Sequence, residues 1–336
     1  MTQHKLSRRS FLATTSAAAA LSSVTPALAA EPITLAYSAW PGWFPLKVAE
    51  AKGLFIKNGV NVQLKWFDNY TDSISALSAG KVDGNCETTN DAIAAQATGA
   101  PRKIVVTTDN SAGNDQLIAK KSIPDVKGLV GKSVAVEIDV VDYFLLLLAL
   151  QKAGIPDSAV HVKPLPTDQA AAAFAAGKVD ACAVFAPFTT RAVGTGLGHV
   201  IASSKDFPGA IPDHLVFSPA IVAARPGDIQ KIVNTWFETL AYIKAHKVEA
   251  IKIMEPLAGV NSVSQYLAYD AGTHIFNIAE NLESFAPGAT MAHLPYSGKK
   301  ISKFLVQHNL APKFVDINTM LDARFIKAYA AKHSMG

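Results

Sequence analysis

The sequence predicts an α/β protein of two similar lobes, each a mainly parallel sheet flanked by helices and joined to the other by hinge crossings. The first observation behind this is a repeat: Ala76-Leu77-Ser78-Ala79-Gly80-Lys81-Val82-Asp83 recurs as Ala173-Phe174-Ala175-Ala176-Gly177-Lys178-Val179-Asp180, matching at six of eight positions. Each copy reads as the end of an amphipathic helix closed by a glycine at φ > 0. The second is the run after each copy, Gly84-Asn85-Cys86 and Ala181-Cys182-Ala183-Val184-Phe185, which suits a strand buried on both faces. The third is length: of the 336 residues, the roughly 307 that follow the expected signal at 1–29 allow two domains with sizeable cores. Two such lobes imply a cleft, and small ligands sit at the carboxyl ends of parallel strands.

The elements follow in order. Lys5, Arg8 and Arg9 precede a weakly apolar segment, Phe11 to Val24, and Ala27-Leu28-Ala29 offers a small-residue cleavage site. Residues 1–29 therefore read as a removable export signal, and Ser7-Arg8-Arg9-Ser10-Phe11-Leu12 is similar to the twin-arginine type. The segment is too interrupted to span a bilayer, which needs about 20 apolar residues. The first cysteine is Cys86, so no lipid anchor adjoins the cleavage site, and a soluble periplasmic protein is expected. Loss of the signal removes three basic residues and no acidic ones, taking the formal net charge from +4 to +1. That balance gives no support for nucleic acid or an anionic membrane as partner.

Lobe 1 is expected over 30–118 and 214–336, and lobe 2 over 119–213. Ile33 to Tyr37 reads as a strand leading into the loop Ser38-Ala39-Trp40-Pro41-Gly42-Trp43, and Pro45 to Lys52 as a helix closed by Gly53. Asn61 to Phe67 alternates as a strand, with Trp66 assigned to the core, and Asp72 to Ala79 is the first repeat's helix. Asn85 to Thr88 ends the next strand, with Asn90 and Asp91 placed to cap the helix after it. Ile104 to Thr108 and Gln116 to Ala119 complete lobe 1 before the crossing. Lobe 2 opens with a turn at 123–132 and the strand Ser133 to Glu137; Phe144 to Leu150, too short for a membrane, suits a helix buried between layers. His161 to Leu165 is a strand and Asp168 starts the second repeat's helix. The chain is expected to return across 203–215, to rejoin lobe 1 through a strand at Phe217 to Ala224, and then to continue mostly as helices. Cys86 and Cys182 each fall within one lobe and are expected buried and reduced.

No H-E-x-x-H or G-x-S-x-G occurs, and the nine histidines are scattered without metal-ligand spacing. Gly194-Thr195-Gly196-Leu197-Gly198 does not follow the first strand of a dinucleotide fold. No cofactor, metal or catalytic constellation is therefore expected.

Together the Trp40-Pro41 loop, Ala49-Glu50-Ala51-Lys52-Gly53-Leu54-Phe55 through Gly59-Val60, both Ala-Gly-Lys-Val-Asp units and Leu129-Val130-Gly131-Lys132-Ser133-Val134-Ala135-Val136 resemble the solute-binding proteins of ABC importers, in the nitrate, sulfonate and taurine branch that shares its fold with the thiamine-precursor domain. The resemblance implies a type II-like two-lobed periplasmic binding protein that closes over a small molecule and delivers it to a permease and its associated ATPase. It also implies a monomer that meets the membrane only through that complex.

The chain departs from the branch's anion binders. Where those place Ser, Thr and Gly donors, it carries Glu87 after the third strand, Asp91 at the next helix start, and Glu137, Asp139 and Asp142 in lobe 2, while Asp68, Asp109, Asp115 and Asp213 sit at other loop positions. A carboxylate at a helix N-terminus already occupies the positive end of the dipole and repels an anion. Trp40 and Trp43 offer faces to a cation. The expected ligand set is Trp40, Trp43, Asp68, Glu87, Asp91, Asp109, Glu137, Asp139, Asp142, Phe185 and Asp213, for a small nitrogenous cation of the guanidinium kind. Two alternatives stay open. The cargo is an aliphatic sulfonate, taurine or nitrate, or the chain is an enzyme of the same fold acting on a pyrimidine-like substrate. Asp91, Asp142 and Asp168 also fit ordinary helix caps.

Overall fold

The computed structural model describes residues 31–333, so the expected signal at 1–29 lies outside the described residues. The strands are β1 (Ile33–Tyr37), β2 (Val62–Trp66), β3 (Gly84–Thr88), β4 (Lys103–Ser111), β5 (Asp115–Lys120), β6 (Ser133–Val136), β7 (His161–Pro164), β8 (Ala181–Phe185), β9 (Gly198–Ser203), β10 (Pro212–Phe217) and β11 (Thr273–Ile275). They form two sheets flanked by helices, in the orders β11-β4-β10-β3-β1-β2 and β7-β6-β8-β5-β9. Each sheet has a parallel part, β2-β1-β3 and β7-β6-β8. Each is then extended by antiparallel strands, so both are mixed.

The repeat builds the parallel parts. In both copies the helix ends on a left-handed glycine, Gly80 at φ +66° and Gly177 at φ +71°, which any other residue adopts only with strain. Lys81 and Lys178 then donate their N–H groups back to the carbonyls of Ala76 and Ala173, closing the helix. The aspartate that ends each copy fastens the neighbouring strand. Asp83 accepts from the N–H and hydroxyl of Thr34, both at 2.8 Å, and Asp180 accepts from the same groups of Ser133 at 3.0 and 2.8 Å. Those Ser133 donors hold the Asp180 carboxyl down at about 2.

Two strand expectations are corrected. The strand at 116–119, expected to finish lobe 1, is β5, and it pairs with β8 and β9 in the second sheet. The segment 217–224 is not a strand beyond Phe217: Ser218 caps the helix Pro219–Ala224, and Pro219 stands in its first turn where no N–H is needed. The chain thus leaves the first sheet after β4 and returns to it at β10, which lies between β3 and β4. Across the crossings the hydroxyls of Ser111 and Ser204 meet at 2.7 Å, and the Gly113 N–H donates to Ser204 Oγ at 2.8 Å.

The apolar helix Val141–Ala153 lies between layers, as its composition suggests. Phe144 meets Phe304 edge-on at 5.2 Å in the first core, while Leu146 and Leu150 belong to a core on the second sheet. Cys86 and Cys182 are buried and free. Trp66 is not a core residue; it is 36% exposed, with its edge against Tyr37. Among the described residues no helix is long and apolar enough to cross a membrane.

Gly84 seats β3 against β10, because a Cβ there would lie 2.5 Å from the Phe217 ring and 2.8 Å from the Val216 carbonyl oxygen. Gly84→Ala is expected to cost about 1–3 kcal/mol in urea denaturation, with partial recovery in the Gly84→Ala/Phe217→Leu double variant. A single variant as stable as the parent would contradict this close approach.

Candidate functional site

A cavity of about 10 Å³, room for about one water, lies where the two sheets meet, lined by Trp40, Trp43, Tyr70, Thr88, Asp115, Val141, Phe185, Ile211 and Asp213. Strand ends and the crossings supply nearly all of it. The loop after β1 delivers Trp40 and Trp43 through the short turn Pro41–Trp43. Tyr70 opens the helix Tyr70–Ser78, and Phe185 ends β8. Four rings close a circuit: Trp40 to Trp43 at 6.4 Å, Trp43 to Tyr70 at 5.3 Å, Tyr70 to Phe185 at 6.3 Å and Phe185 back to Trp40 at 6.3 Å. Three rings come from the first-sheet side and Phe185 from the second.

Carboxyl groups surround this box. Asp213 of β10 stands opposite Asp109 of β4 in the strand pair. Asp109 accepts from Trp40 Nε1 at 2.9 Å and from the Thr108 hydroxyl at 2.8 Å, whereas neither oxygen of Asp213 receives a donor from a neighbouring side chain or backbone N–H. Burial, and after it the nearby Asp109 and Asp115 carboxyls, holds Asp213 well above its ordinary value. Asp115 lines the cavity at the start of β5, and its Oδ2 likewise has no donor.

Asp91, in the first turn of the helix Thr89–Ala97, accepts from the Thr88 hydroxyl at 2.7 Å and from the Asn90 amide at 2.5 Å. Asp142 is fully buried, and one of its oxygens has no donor. Burial drives all five upward: Asp109 and Asp115 to about 7, Asp91 to about 8, and Asp142 and Asp213 well above the ordinary value of 3.8.

Basic groups do not offset them. The cavity lining contains no Lys, Arg or His. The buried His214 is pushed down to about 3 by desolvation and stays neutral. Arg102 is buried but committed elsewhere: its Nε donates to both oxygens of Glu87 at 3.1 and 3.0 Å, and Asn85 adds a bond at 3.2 Å.

The structure thus divides the expected ligand set. It brings Trp40, Trp43, Phe185 and Asp213 onto one cavity and packs Asp91, Asp109 and Asp142 around it. Glu87 is satisfied by Arg102, a partner inside its own lobe. Glu137 bridges instead: it accepts from the Thr71 hydroxyl of the first-sheet side and from the Thr167 N–H at 2.9 Å. Asp68 is exposed, accepts from Trp66 Nε1, and edges a neighbouring pocket with Glu137. Asp139 is exposed in a left-handed turn at φ +67°, a conformation Asp tolerates. Sequence reading missed Tyr70, Thr88, Val141 and Ile211, and it noted Asp115 as a loop residue without including it among the ligands. For Tyr70 the available signal was an aromatic residue directly before the repeat helix.

The sequence pattern of the NMT1-like family matches residues 27–255. A putative binding protein of Brucella abortus (strain 2308) is 29% identical over 255 residues, covering 74% of this chain and 78% of its own length. The taurine-binding periplasmic protein of Escherichia coli (strain K12) is 31% identical over 145 residues, covering 43% of this chain and 45% of its own. The structure of the alkanesulfonate-binding protein SsuA from Xanthomonas axonopodis pv. citri bound to MOPS matches with a TM-score of 0.72 at 20% identity, over 88% of this chain and 99% of that one. The fold is therefore that of the two-lobed periplasmic binding proteins.

Raised carboxyl values set the direction of pH-dependent stability. Above about pH 4 the unfolded chain ionises while folded Asp91, Asp109 and Asp115 keep their protons to about 7 or 8. The folded state then binds more protons, and its stability falls as pH rises through that window. The thermal midpoint of the cargo-free protein is expected to drop between pH 5 and pH 8, on the order of 5–10 °C. Scanning calorimetry reads it; a midpoint that holds or rises would show these groups ionised in the folded protein.

Proposed function

Since the chain belongs to the NMT1-like family, we propose that it is the substrate-binding component of an ABC-type importer, carrying a small planar nitrogenous cation of the guanidinium kind. The observation that carries this reading is the box itself: four rings with Asp213 and Asp115 on its wall, three more buried carboxyls packed around it, and no Lys, Arg or His in its lining. A cation within about 6 Å of an aromatic centroid is attracted to the ring face, most strongly in a dry site. A planar cation with N–H groups around its edge can meet two carboxylates in the fork geometry that makes such bonds strong.

Small size and charge both narrow the cargo. About 10 Å³ is far below the range of drug-sized sites, so the cargo is small and the rings part to admit it. An inorganic cation fits less well, since among the described residues no group of three or more His, Cys, Asp or Glu is arranged to hold a metal. An anion would meet helix starts already occupied by Asp91 and Asp142. Cargo in the box touches both lobes, so it favours the closed form in which Tyr70 meets Phe185. The crossings at 112–114 and 204–211 serve as the hinge. The names of the relatives favour a second reading, a sulfonate, taurine or nitrate as cargo.

Calorimetry on the mature protein separates the two. Guanidinium is expected to bind at micromolar Kd, which corresponds to about −8.2 kcal/mol, and neutral urea far more weakly. Asp213→Asn should weaken guanidinium at least about tenfold, the loss of one charge-assisted bond, whereas Glu87→Gln should lower stability and leave affinity nearly unchanged. Tight binding of taurine, an alkanesulfonate or nitrate without a guanidinium response would establish the second reading. Export by the twin-arginine route belongs to the same proposal: replacing both Arg8 and Arg9 by Lys should abolish periplasmic accumulation, and normal yield would remove that route.

A further inference from the structure

We propose that the cation enters this site in exchange for a proton released from the buried carboxyl cluster, so that the occupied and cargo-free sites carry nearly the same charge. The inference rests on the cation reading of the site and adds its proton stoichiometry. Burial without donors favours the protons: both oxygens of Asp213 and one of Asp115 are buried with no donor. Asp109 and Asp213 are directly paired across β4 and β10, both buried, and two like-charged carboxylates sharing a buried site are relieved when one of them keeps its proton. The Thr167 hydroxyl lies 2.7 Å from Glu137 Oε2 and 2.5 Å from Asp142 Oδ2. A hydroxyl carries one proton, so Thr167 can serve only one of these two carboxyls fully, and a proton kept on the other satisfies the second contact.

The surroundings keep those protons in place. Asp109 and Asp213 are faced by Cys86 and Glu87 of β3, by Tyr70 on its helix, and by Asp91 and Asp115. Asp270, itself near Lys247, acts on Asp109 from behind, and neutral His214 lies next to Asp213 on β10. At the edge of the first sheet, β11 contributes His274, paired with Glu280 at the surface. Arg102 is a buried positive charge in this group, and Glu87 takes it. The raised values of Asp91, Asp109 and Asp115 agree with protons held near neutral pH.

A cation brought into the box supplies the missing positive charge. The carboxyl nearest to it then ionises, and its proton passes to solvent: one positive charge enters and one leaves. Guanidinium keeps its own charge far above neutral pH, so any pH dependence belongs to the protein. Neutral urea offers no charge to exchange and releases no proton.

Titration of guanidinium chloride into the mature protein at pH 7, in phosphate and again in Tris, reads the exchange from the difference in heat. We expect release of about one proton per cation and a Kd that falls at least about fivefold between pH 5.5 and pH 7.5. In Asp213→Asn the release should fall by half or more. Tight binding with equal heats in the two buffers and a flat pH profile would overturn the exchange while leaving the cation reading intact. Absence of guanidinium binding in both buffers would remove the cation reading and the exchange with it. An Asp213→Asn variant that still releases a full proton would overturn the placement on the Asp109–Asp213 pair.

Discussion

Asp91, Asp109, Asp115, Asp142 and Asp213 are withdrawn from water at the meeting of two sheets, and no basic side chain on the cavity wall balances them. Isolating even one charge in this way costs several kcal/mol, so the groups hold protons or wait for a positive charge from outside. The aromatic box depends on that condition. Trp40 is oriented by its bond to Asp109, and Tyr70 by its contact with Thr88. Changing the carboxyls would thus move the rings as well as the charge.

The two sheets reach this arrangement by the same means. Each starts from a three-stranded parallel unit fastened by the repeat aspartate, and each then takes in a strand that adjoins a crossing: β10 in the first sheet, β5 in the second. Those strands run antiparallel to their neighbours, which brings Asp115 at the start of β5 and Asp213 near the start of β10 beside the carboxyl ends of β3 and β8. The contacts between lobes are of mixed chemistry. Thr71 meets Glu137, Phe144 meets Phe304, and His308 meets Asp157 at 2.7 Å.

Local signals were legible in the sequence. A left-handed glycine after an amphipathic helix and an aspartate before an apolar strand are decided within a few residues, and Trp40, Trp43 and Phe185 could be read as strand-end residues. Non-local pairing was not legible. Nothing near 116–119 tells which sheet β5 will join, because its partners are at 181–185 and 198–203. Glu87 looked like an unpaired buried acid because Arg102, fifteen positions later in sequence, reads as an ordinary surface arginine. Asp139 and Asp142 lie three residues apart, one exposed in a turn and one fully buried. The helix start falls between them, and sequence pattern gives it only to within a few residues.

Asp109, Asp115 and Asp213 sit on the strands that run into the crossings rather than on the outer loops of either lobe. In mechanical terms, a cargo held in the proposed site would lie close to the proposed fulcrum. A displacement of a fraction of an ångström there becomes a much larger travel at the lobe tips, in proportion to the lever arm. Two molecules that differ by a single atom at the box would therefore set measurably different angles between the outer faces. A partner that touches only those faces would be able to distinguish them without reaching the cargo.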